Sequence, residues 1–299
     1  MSAAQRSDPS TVASLLVEAL PYIREFSGNV VVIKYGGNAL AASAEEPGGT
    51  DAGTGTLATF AEDVVLLRSV GMLPVVVHGG GPQIGDMMRR LGKEVEFRDG
   101  LRVTDAETLD IARMVLVGKV NREIVSAINV HAPLAVGLSG EDAHLITAEQ
   151  RSAQLGYVGD ILRVDPTMVT GLLSQGLIPV VATIGIGAAG QAYNINADTA
   201  AGAIAAALSA DKLVYLTDVP GVQADRDDPS SLIGQIDATD VDRLVKEGVV
   251  DGGMIPKVEA AAHALRSGVR RAHILDGRVP HALLVELFTD SGVGTMVSP

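Results

Sequence analysis

The chain has 299 residues and a formal net charge of −13, from 36 acidic and 23 basic side chains. This balance argues against nucleic acid as the main partner, because no excess of cations is present to neutralise phosphates. The absence of cysteine excludes a disulfide scaffold, a zinc–thiolate site and a thiol nucleophile. The six histidines lack metal-ligand spacing, so no metal site held by the protein is predicted. Neither a signal peptide nor a membrane span is evident, and we expect a soluble cytoplasmic protein.

Short apolar runs of strand length alternate with helix-length periodic segments along the chain. Residues 10–26 predict an amphipathic helix before the first strand, and the glycine-rich stretch Glu45–Gly55 predicts a mobile loop. Several runs are apolar throughout, as in parallel strands that are buried on both faces. The alternation predicts an α/β fold with ligands at the carboxyl ends of the strands. The predicted strands are Val30–Ile33, Leu73–Val77, Leu134–Leu138, Ile178–Ile184, Leu213–Leu216 and Ala272–Leu275, and the predicted helices include Phe60–Val70, Gln83–Leu91 and Thr199–Leu208.

A longer helix is predicted over Thr104–Asn129. Its first residues match a capping box, with Thr104 as the N-cap and Glu107 three residues later reaching back to it.

Lys34 follows the first predicted strand and precedes two glycines. An ammonium at the end of an apolar strand is costly to desolvate, so it needs an anionic partner. The glycines allow a backbone to approach the same point closely. A surface lysine before a turn explains this motif equally well.

The run Gly79–Gly81 follows the second predicted strand, and Pro82 suits the first position of a helix. The amides at such a helix start can bind an anion. The spacing is not the dinucleotide-binding GxGxxG motif, because Ile84 occupies its last glycine position. It is not a P-loop either, because Asp86 stands where lysine is required. A flexible turn is the alternative.

Asn194, Asn196 and Asp198 lie on one face if their segment is extended. Helix capping by Asp198 is sufficient to explain that residue alone, but it does not explain the two amides before it.

Two later motifs lie at predicted ligand edges. Thr217 and Asp218 end a buried strand, although a turn alone explains them, and Lys257 falls in the first turn of a helix, where a cation opposes the macrodipole. Lysines, glycine amides and aspartates gathered at one sheet edge predict phosphoryl transfer without a P-loop.

These motifs, with the stretch Phe97–Asp105, resemble the amino-acid kinase family from about Val30 to the C-terminus. The resemblance implies a three-layer αβα sandwich around a mainly parallel sheet, in two lobes. Residues 27–190 would bind the acceptor and form a dimer, and residues 191–299 would bind ATP. The stretch around Arg102 resembles family members that phosphorylate the γ-carboxylate of N-acetyl-L-glutamate in arginine biosynthesis. Glutamate 5-kinase or aspartokinase activity is the nearest alternative, and a catalytically inactive amino-acid sensor is a second.

The resemblance also implies roles for individual residues. Asp198 would hold two lysines rather than act as a base, because a γ-carboxylate is already ionised near pH 7. Magnesium would arrive with ATP. The implied catalytic residues are Lys34, Lys257 and Asp198, the implied acetylglutamate-binding residues are Gly79, Gly80, Arg102, Asn194 and Asn196, and the implied nucleotide- or phosphate-binding residues are Gly36, Gly37, Thr217 and Asp218.

A helix ahead of the first strand resembles the arginine-inhibited members of this family, in which it joins dimers into a hexamer. The resemblance implies L-arginine as an inhibitor that binds near this helix and the C-terminal segment. The implied effector residues are Lys212, His281 and Gly292. Packing of the helix on its own subunit is the alternative.

Overall fold

A sheet of eight strands forms the centre of the molecule. The computed structural model describes residues 8–36, 56–225, 228–250, 252–289 and 292–299. Within these ranges the helices are α1 (Pro9–Phe26), α2 (Thr56–Ser69), α3 (Gly81–Arg90), α4 (Ala106–Arg113), α5 (Asn121–Asn129), α6 (Thr167–Ser174), α7 (Ala197–Ala207), α8 (Val241–Lys246), α9 (Ile255–Arg266) and α10 (Ala282–Phe288). The strands are β1 (Val30–Tyr35), β2 (Leu73–His78), β3 (Phe97–Arg98), β4 (Leu101–Arg102), β5 (Ala135–Ser139), β6 (Ile146–Gln150), β7 (Val158–Val164), β8 (Ile178–Ala182), β9 (Ile184–Ile186), β10 (Ala192–Ile195), β11 (Lys212–Thr217), β12 (Gln235–Asp237), β13 (Arg271–Asp276) and β14 (Thr295–Ser298).

The order across the central sheet is β12-β14-β13-β11-β1-β2-β8-β5. The pairs from β13 to β5 are parallel, whereas β14 runs antiparallel to β13. On β1, Lys34 is in register with Val77 of β2 and with Tyr215 of β11. The carboxyl ends of these three strands therefore lie side by side, as the apolar runs predicted.

Helices cover both faces of the sheet. Successive side chains of a strand point to opposite faces. Val31 and Ile33 of β1 accordingly belong to the core shared with α2, α4, α5 and α10, whereas Val32 belongs to the core shared with α6, α7 and α9. The predicted three-layer αβα sandwich is confirmed. Strands β6, β7, β9 and β10 form a second, small closed sheet, and β3 pairs with β4 as a hairpin.

The predicted long helix is present, but its start and its middle differ from the prediction. Its N-cap is Asp105, whose Oδ1 accepts a hydrogen bond from the Thr108 amide at 2.8 Å. The prediction of Thr104 as the cap was wrong, because the Thr104 hydroxyl donates to the carbonyl of Arg102 instead. Glu107 pairs with Lys93 rather than reaching back. Between α4 and α5, the segment Met114–Val120 is π-helical.

One predicted strand is interrupted in the structure. The predicted strand Ile178–Ile184 is divided, because β8 ends at Ala182 and β9 begins at Ile184. The predicted loop Glu45–Gly55 lies outside the described residues. The division at residue 190 stays a prediction, and the central sheet continues across it. No helix in the described ranges is both long and apolar enough to cross a membrane.

We predict that Asp105→Ala lowers the free energy of unfolding by about 1 kcal/mol, because it removes a helix N-cap together with an exposed ion pair to Lys93, and the ion pair contributes little. Urea unfolding followed by circular dichroism measures this change. The control is Asp110→Ala, an exposed position in the same helix, which we expect to change stability by less than about 0.5 kcal/mol. Equal losses in the two variants would contradict the capping role.

Candidate active site

Three charged side chains meet where β1, α7 and α9 come together. Lys34 Nζ lies 2.8 Å from Asp198 Oδ1, and Lys257 Nζ lies 3.2 Å from Asp198 Oδ2. Lys257 Nζ also donates to the carbonyl of Gly253 at 3.2 Å. One carboxylate thus holds two ammonium groups, and the group carries a net charge of +1. Such a cluster suits an anionic ligand.

Asp198 is almost fully buried, and its charge depends on its two partners. Burial raises the pKa of this carboxyl, whereas Lys34 and Lys257 lower it, and the net pKa lies below its usual value. Asp198 is therefore ionised near neutral pH. Removing one partner of such a buried group leaves an uncompensated charge, which is strongly destabilising.

Asp198 and Lys34 line a cavity of about 210 Å³, which we call the Arg102 cavity. Its floor contains the glycines that follow β2, and its walls include the β3–β4 hairpin and the end of β10. The side chains and backbone that line it are those of Lys34, Gly79, Gly80, Gly81, Ile84, Phe97, Gly100, Leu101, Arg102, Leu116, Val158, Thr183, Asn194, Ile195, Asn196, Ala197 and Asp198.

Arg102 is a buried cation without a carboxylate partner in the part of the chain that the structure describes. Its guanidinium donates to the carbonyl of Gly81 at 2.7 Å and lies 4.8 Å from the centre of the Phe97 ring. Burial lowers its pKa, and Arg89 adds to this effect. Because a guanidinium remains charged in proteins, Arg102 offers its remaining donors to an anion in the cavity.

The turn Gly79–Gly81 packs closely against the π-helical segment Met114–Val120. A Cβ at Gly80 would lie 2.7 Å from Cδ2 of Leu116, which would force a shift. Beneath the turn, His78 Nδ1 donates to the carbonyl of Gly79, and Nε2 accepts from Asn121 Nδ2 at 3.1 Å. Burial lowers the pKa of His78 to about 4, so the ring is neutral and holds this arrangement across the physiological range.

The two asparagines of the third motif have different roles. Asn196 is the N-cap of α7, and its Oδ1 accepts from the amides of Asp198 and Thr199. The alternative explanation of Asp198 as the cap of this helix therefore does not hold, because Asn196 has that role. Asn194 Nδ2 lies 3.4 Å from the Thr104 hydroxyl. Both asparagines still line the Arg102 cavity.

A second cavity, of about 480 Å³, begins on the other side of Asp198, and we call it the Lys257 cavity. Thr217, Asp218 and Lys257 all line it, so this edge gathers the fourth and fifth motifs. Gly36 lines neither of these two cavities; it directly follows β1, and its amide donates to the carbonyl of Leu216 at 3.1 Å. Gly37 lies outside the described residues. The described ranges contain no cluster of three or more His, Cys, Asp or Glu side chains that could hold a metal ion.

A third cavity, of about 690 Å³, lies between α1 and the C-terminal strands, and we call it the α1 cavity. Lys212 and Gly292 line it, together with Glu25 and Glu286. His281 does not, because it lies against Asp63 in a different cavity. The structure thus brings two of the three predicted effector residues together.

Sequence reasoning missed several residues of these cavities. Thr183 and Leu116 line the Arg102 cavity, and the His78–Asn121 contact supports its floor. The position of His78 directly before three glycines was a usable signal. Nothing in the local sequence marks Leu116 or Thr183, because they reach the site through the π-helical segment and the break between β8 and β9.

The amino acid kinase family matches residues 29–276. The chain belongs to the amino acid kinase family. It is 55% identical to an acetylglutamate kinase of Symbiobacterium thermophilum, and the match covers 95% of this chain and 97% of that protein. It is 53% identical to an acetylglutamate kinase of Pelotomaculum thermopropionicum, over 97% of this chain and 99% of that protein. This near-full-length similarity to kinases, together with the family match, shows that the chain is a kinase enzyme.

Solved structures agree with this family assignment. N-acetylglutamate synthase from Neisseria gonorrhoeae, complexed with coenzyme A and N-acetyl-glutamate, matches with a TM-score of 0.81 and 28% identity over 96% of this chain. This kinase spans only 63% of that synthase chain. Carbamate kinase from Giardia lamblia bound to AMP-PNP matches with a TM-score of 0.65 and 19% identity, over 91% of this chain and 98% of that one, and it supports the fold alone.

The Asp63–His281 contact leads to a pH-dependent prediction. Burial raises the pKa of Asp63 to about 6, and the hydrogen bond from His281 offsets only part of this effect. The folded kinase therefore holds this proton more tightly than the unfolded chain does, because the pKa of an aspartate in an unfolded chain is about 4. The contribution of Asp63 to stability is fully present below about pH 4 and is lost as the pH rises through 6.

We expect Asp63→Asn, which cannot ionise, to be more stable than the wild type by about 2 kcal/mol above pH 7. This advantage should shrink as the pH falls towards 4. Urea unfolding at a series of pH values measures it. Asp110→Asn, at an exposed position of α4 that is not among the groups acting on Asp63, is the control and should show a much smaller pH-dependent difference. A constant difference for Asp63→Asn across this range would refute the assignment.

Proposed function

We propose that this kinase transfers the γ-phosphoryl group of ATP to the γ-carboxylate of N-acetyl-L-glutamate, in arginine biosynthesis. The observation that carries the proposal is the buried, carboxylate-free Arg102 in the same cavity as the Lys34–Asp198 pair. An acceptor with two carboxylates matches two separate cationic points. Arg102 would bind the α-carboxylate, and the γ-carboxylate would face the lysines.

The walls of the Arg102 cavity suit an acylated amino acid better than a free one. Leu101, Leu116 and Val158 give it apolar surface, which favours an acetyl group over a charged amine. The acetylglutamate kinases at 53–55% identity support the same acceptor. Glutamate 5-kinase or aspartokinase activity is the alternative, and either one requires the cavity to accept a free ammonium.

In the proposed reaction an oxygen of the γ-carboxylate attacks the γ-phosphorus of ATP, and the bond to the ADP oxygen breaks. The carboxylate is ionised near pH 7, so no base is required. Lys34 and Lys257 would neutralise charge on the transferring group, and Asp198 would fix their positions. The amides of Gly80 and Gly37 would contact the same group.

The nucleotide would occupy the Lys257 cavity. Thr217 and Asp218 lie there at the carboxyl end of β11, and Lys257 bridges this cavity to Asp198. Mg²⁺ would arrive with ATP and neutralise phosphate charge. Residues of the chain would orient the phosphates through the two lysines and the glycine amides.

We also propose that L-arginine inhibits this kinase by binding in the α1 cavity. Glu25 and Glu286 offer acceptors to a guanidinium, and Lys212 offers a cation to a carboxylate. Burial and the neighbouring Arg271 lower the pKa of Lys212, so an anionic ligand there would relieve an unfavourable environment. Another structure of the N-acetylglutamate synthase from Neisseria gonorrhoeae is complexed with coenzyme A and L-arginine. It matches this kinase with a TM-score of 0.79 and 28% identity, and this kinase spans 65% of that chain.

The outer face of α1 supports a hexamer built from dimers. Leu15, Leu16 and Val17 of α1 are 58%, 64% and 70% exposed, and apolar side chains exposed to this extent are unfavourable in water. Packing against the same helix of another subunit would bury them. Tyr22 and Phe26 of the same helix line the α1 cavity. Bound arginine would therefore contact the helix that joins the subunits.

The acceptor is tested by ADP release with MgATP and N-acetyl-L-glutamate, beside glutamate, aspartate and UMP. We expect turnover with acetylglutamate alone. Arg102→Gln should raise the KM for acetylglutamate at least tenfold, because it removes a charged contact, and should leave the KM for ATP within about twofold. Arg98→Gln, an exposed arginine on the same hairpin, is the control. Turnover with another acceptor, or equal effects in both variants, would overturn the proposal.

Inhibition is tested by adding L-arginine to the same assay. We expect Lys212→Met to weaken the inhibition at least tenfold, whereas Lys246→Met on exposed α8 should not change it. Removal of residues 1–26 should reduce the mass measured by analytical ultracentrifugation from that of a hexamer to that of a dimer. An unchanged mass and an unchanged arginine response after removal of residues 1–26 would contradict this part of the proposal.

A further inference from the structure

Tyr215 is a fully buried phenol next to the active site that the roles above do not use. It lies on β11 in register with Lys34 on β1. Paired residues of parallel strands point to the same face of the sheet, so both side chains point towards α7. Lys34 and Tyr215 therefore approach the start of α7 from neighbouring strands.

The side chains of Lys34 and Tyr215 both contact Asp198. Lys34 Nζ lies 2.8 Å from the Asp198 carboxylate, and Tyr215 Oη donates to the Asp198 carbonyl oxygen at 3.2 Å. Burial raises the pKa of Tyr215 well above its usual value, and the charge of Asp198 adds to this effect. The phenol thus stays protonated near neutral pH and remains a hydrogen-bond donor.

The backbone of Asp198 is consequently held on both sides. Its amide donates to Asn196 Oδ1 at 2.9 Å, and its carbonyl accepts from Tyr215. Its carboxylate is the contact shared by Lys34 and Lys257. A displacement of this one backbone unit would move both ammonium groups together.

We propose that Tyr215 is a positioning residue for phosphoryl transfer, which fixes Asp198 and through it the two lysines. The inference rests on the proposed function. Tyr215 does not line the Arg102 cavity or the Lys257 cavity, so it makes no direct contact with a ligand in either one. Tyr215 instead affects the positions of the two lysines, and small displacements of reacting groups lower the rate of the reaction strongly.

The test is Tyr215→Phe, which keeps the ring and removes only the hydroxyl. We expect kcat with acetylglutamate and ATP to fall about tenfold, while both KM values stay within about twofold. Tyr215→Leu, which also lacks the hydroxyl, should lose at least as much kcat. Thermal denaturation of each variant confirms that the protein assayed is folded.

The matched control is Tyr35→Phe. Tyr35 is also fully buried, but it lies on the opposite face of the sheet, stacked on Phe60 at 4.1 Å between ring centroids. We expect its kcat to change by less than about twofold. Equal losses of kcat in the Tyr35 and Tyr215 variants, or a rise in KM that accounts for the loss, would overturn the positioning role.

A crystal structure of Tyr215→Phe beside the wild type gives a measurement that does not need turnover. We expect the Asp198 carbonyl to shift and the Lys34–Asp198 distance to change from 2.8 Å. An unchanged Asp198 together with an unchanged kcat would refute the inference. A wild type that does not phosphorylate acetylglutamate would refute the proposed function instead, and the structural comparison would still decide the role of Tyr215.

Discussion

The buried charge of Asp198 is the constraint on which the rest of this site depends. A carboxylate at this depth is stable only with counter-charges, and Lys34 and Lys257 supply them from two separate elements. The group then carries one excess positive charge in a place that water reaches poorly. An anion that enters between the two cavities would complete the electrostatic balance, so the contacts that stabilise the fold also leave one positive charge available to an anion.

Parallel topology explains why these contacts form at one edge. Lys34, the Gly79–Gly81 turn and Thr217 lie at the carboxyl ends of three neighbouring strands and are brought together by the strand order alone. The helices then set the finer geometry. Asn196 caps α7 and directs Asp198 inward, and the π-helical segment packs Leu116 on Gly80. A π-helical turn is rare in proteins and is concentrated at functional sites, where it places side chains that a regular helix would direct elsewhere.

The sequence predicted the features that follow from strand order and residue chemistry. The apolar runs indicated parallel strands, so Lys34, Asp198 and Lys257 were expected at one edge, and the structure places them within ion-pair distance. Features that depend on long-range packing were not predictable. The cap at Asp105 differs from the predicted one by a single residue, because Thr104 turns back to the Arg102 carbonyl, and the effector prediction for His281 could not foresee its contact with Asp63.

The central sheet has a mechanical consequence where β1 meets β11. Lys34 belongs to the part of the chain before residue 190, whereas Asp198 and Lys257 belong to the part after it, and their ion pair spans this junction. The strands β1 and β11 are hydrogen-bonded across the junction, so one continuous sheet joins the two parts of the chain. The two parts therefore cannot move as independent bodies. A twist of the sheet would change the spacing of the charges directly. An anion bound between these charges would therefore contact both parts of the chain at once.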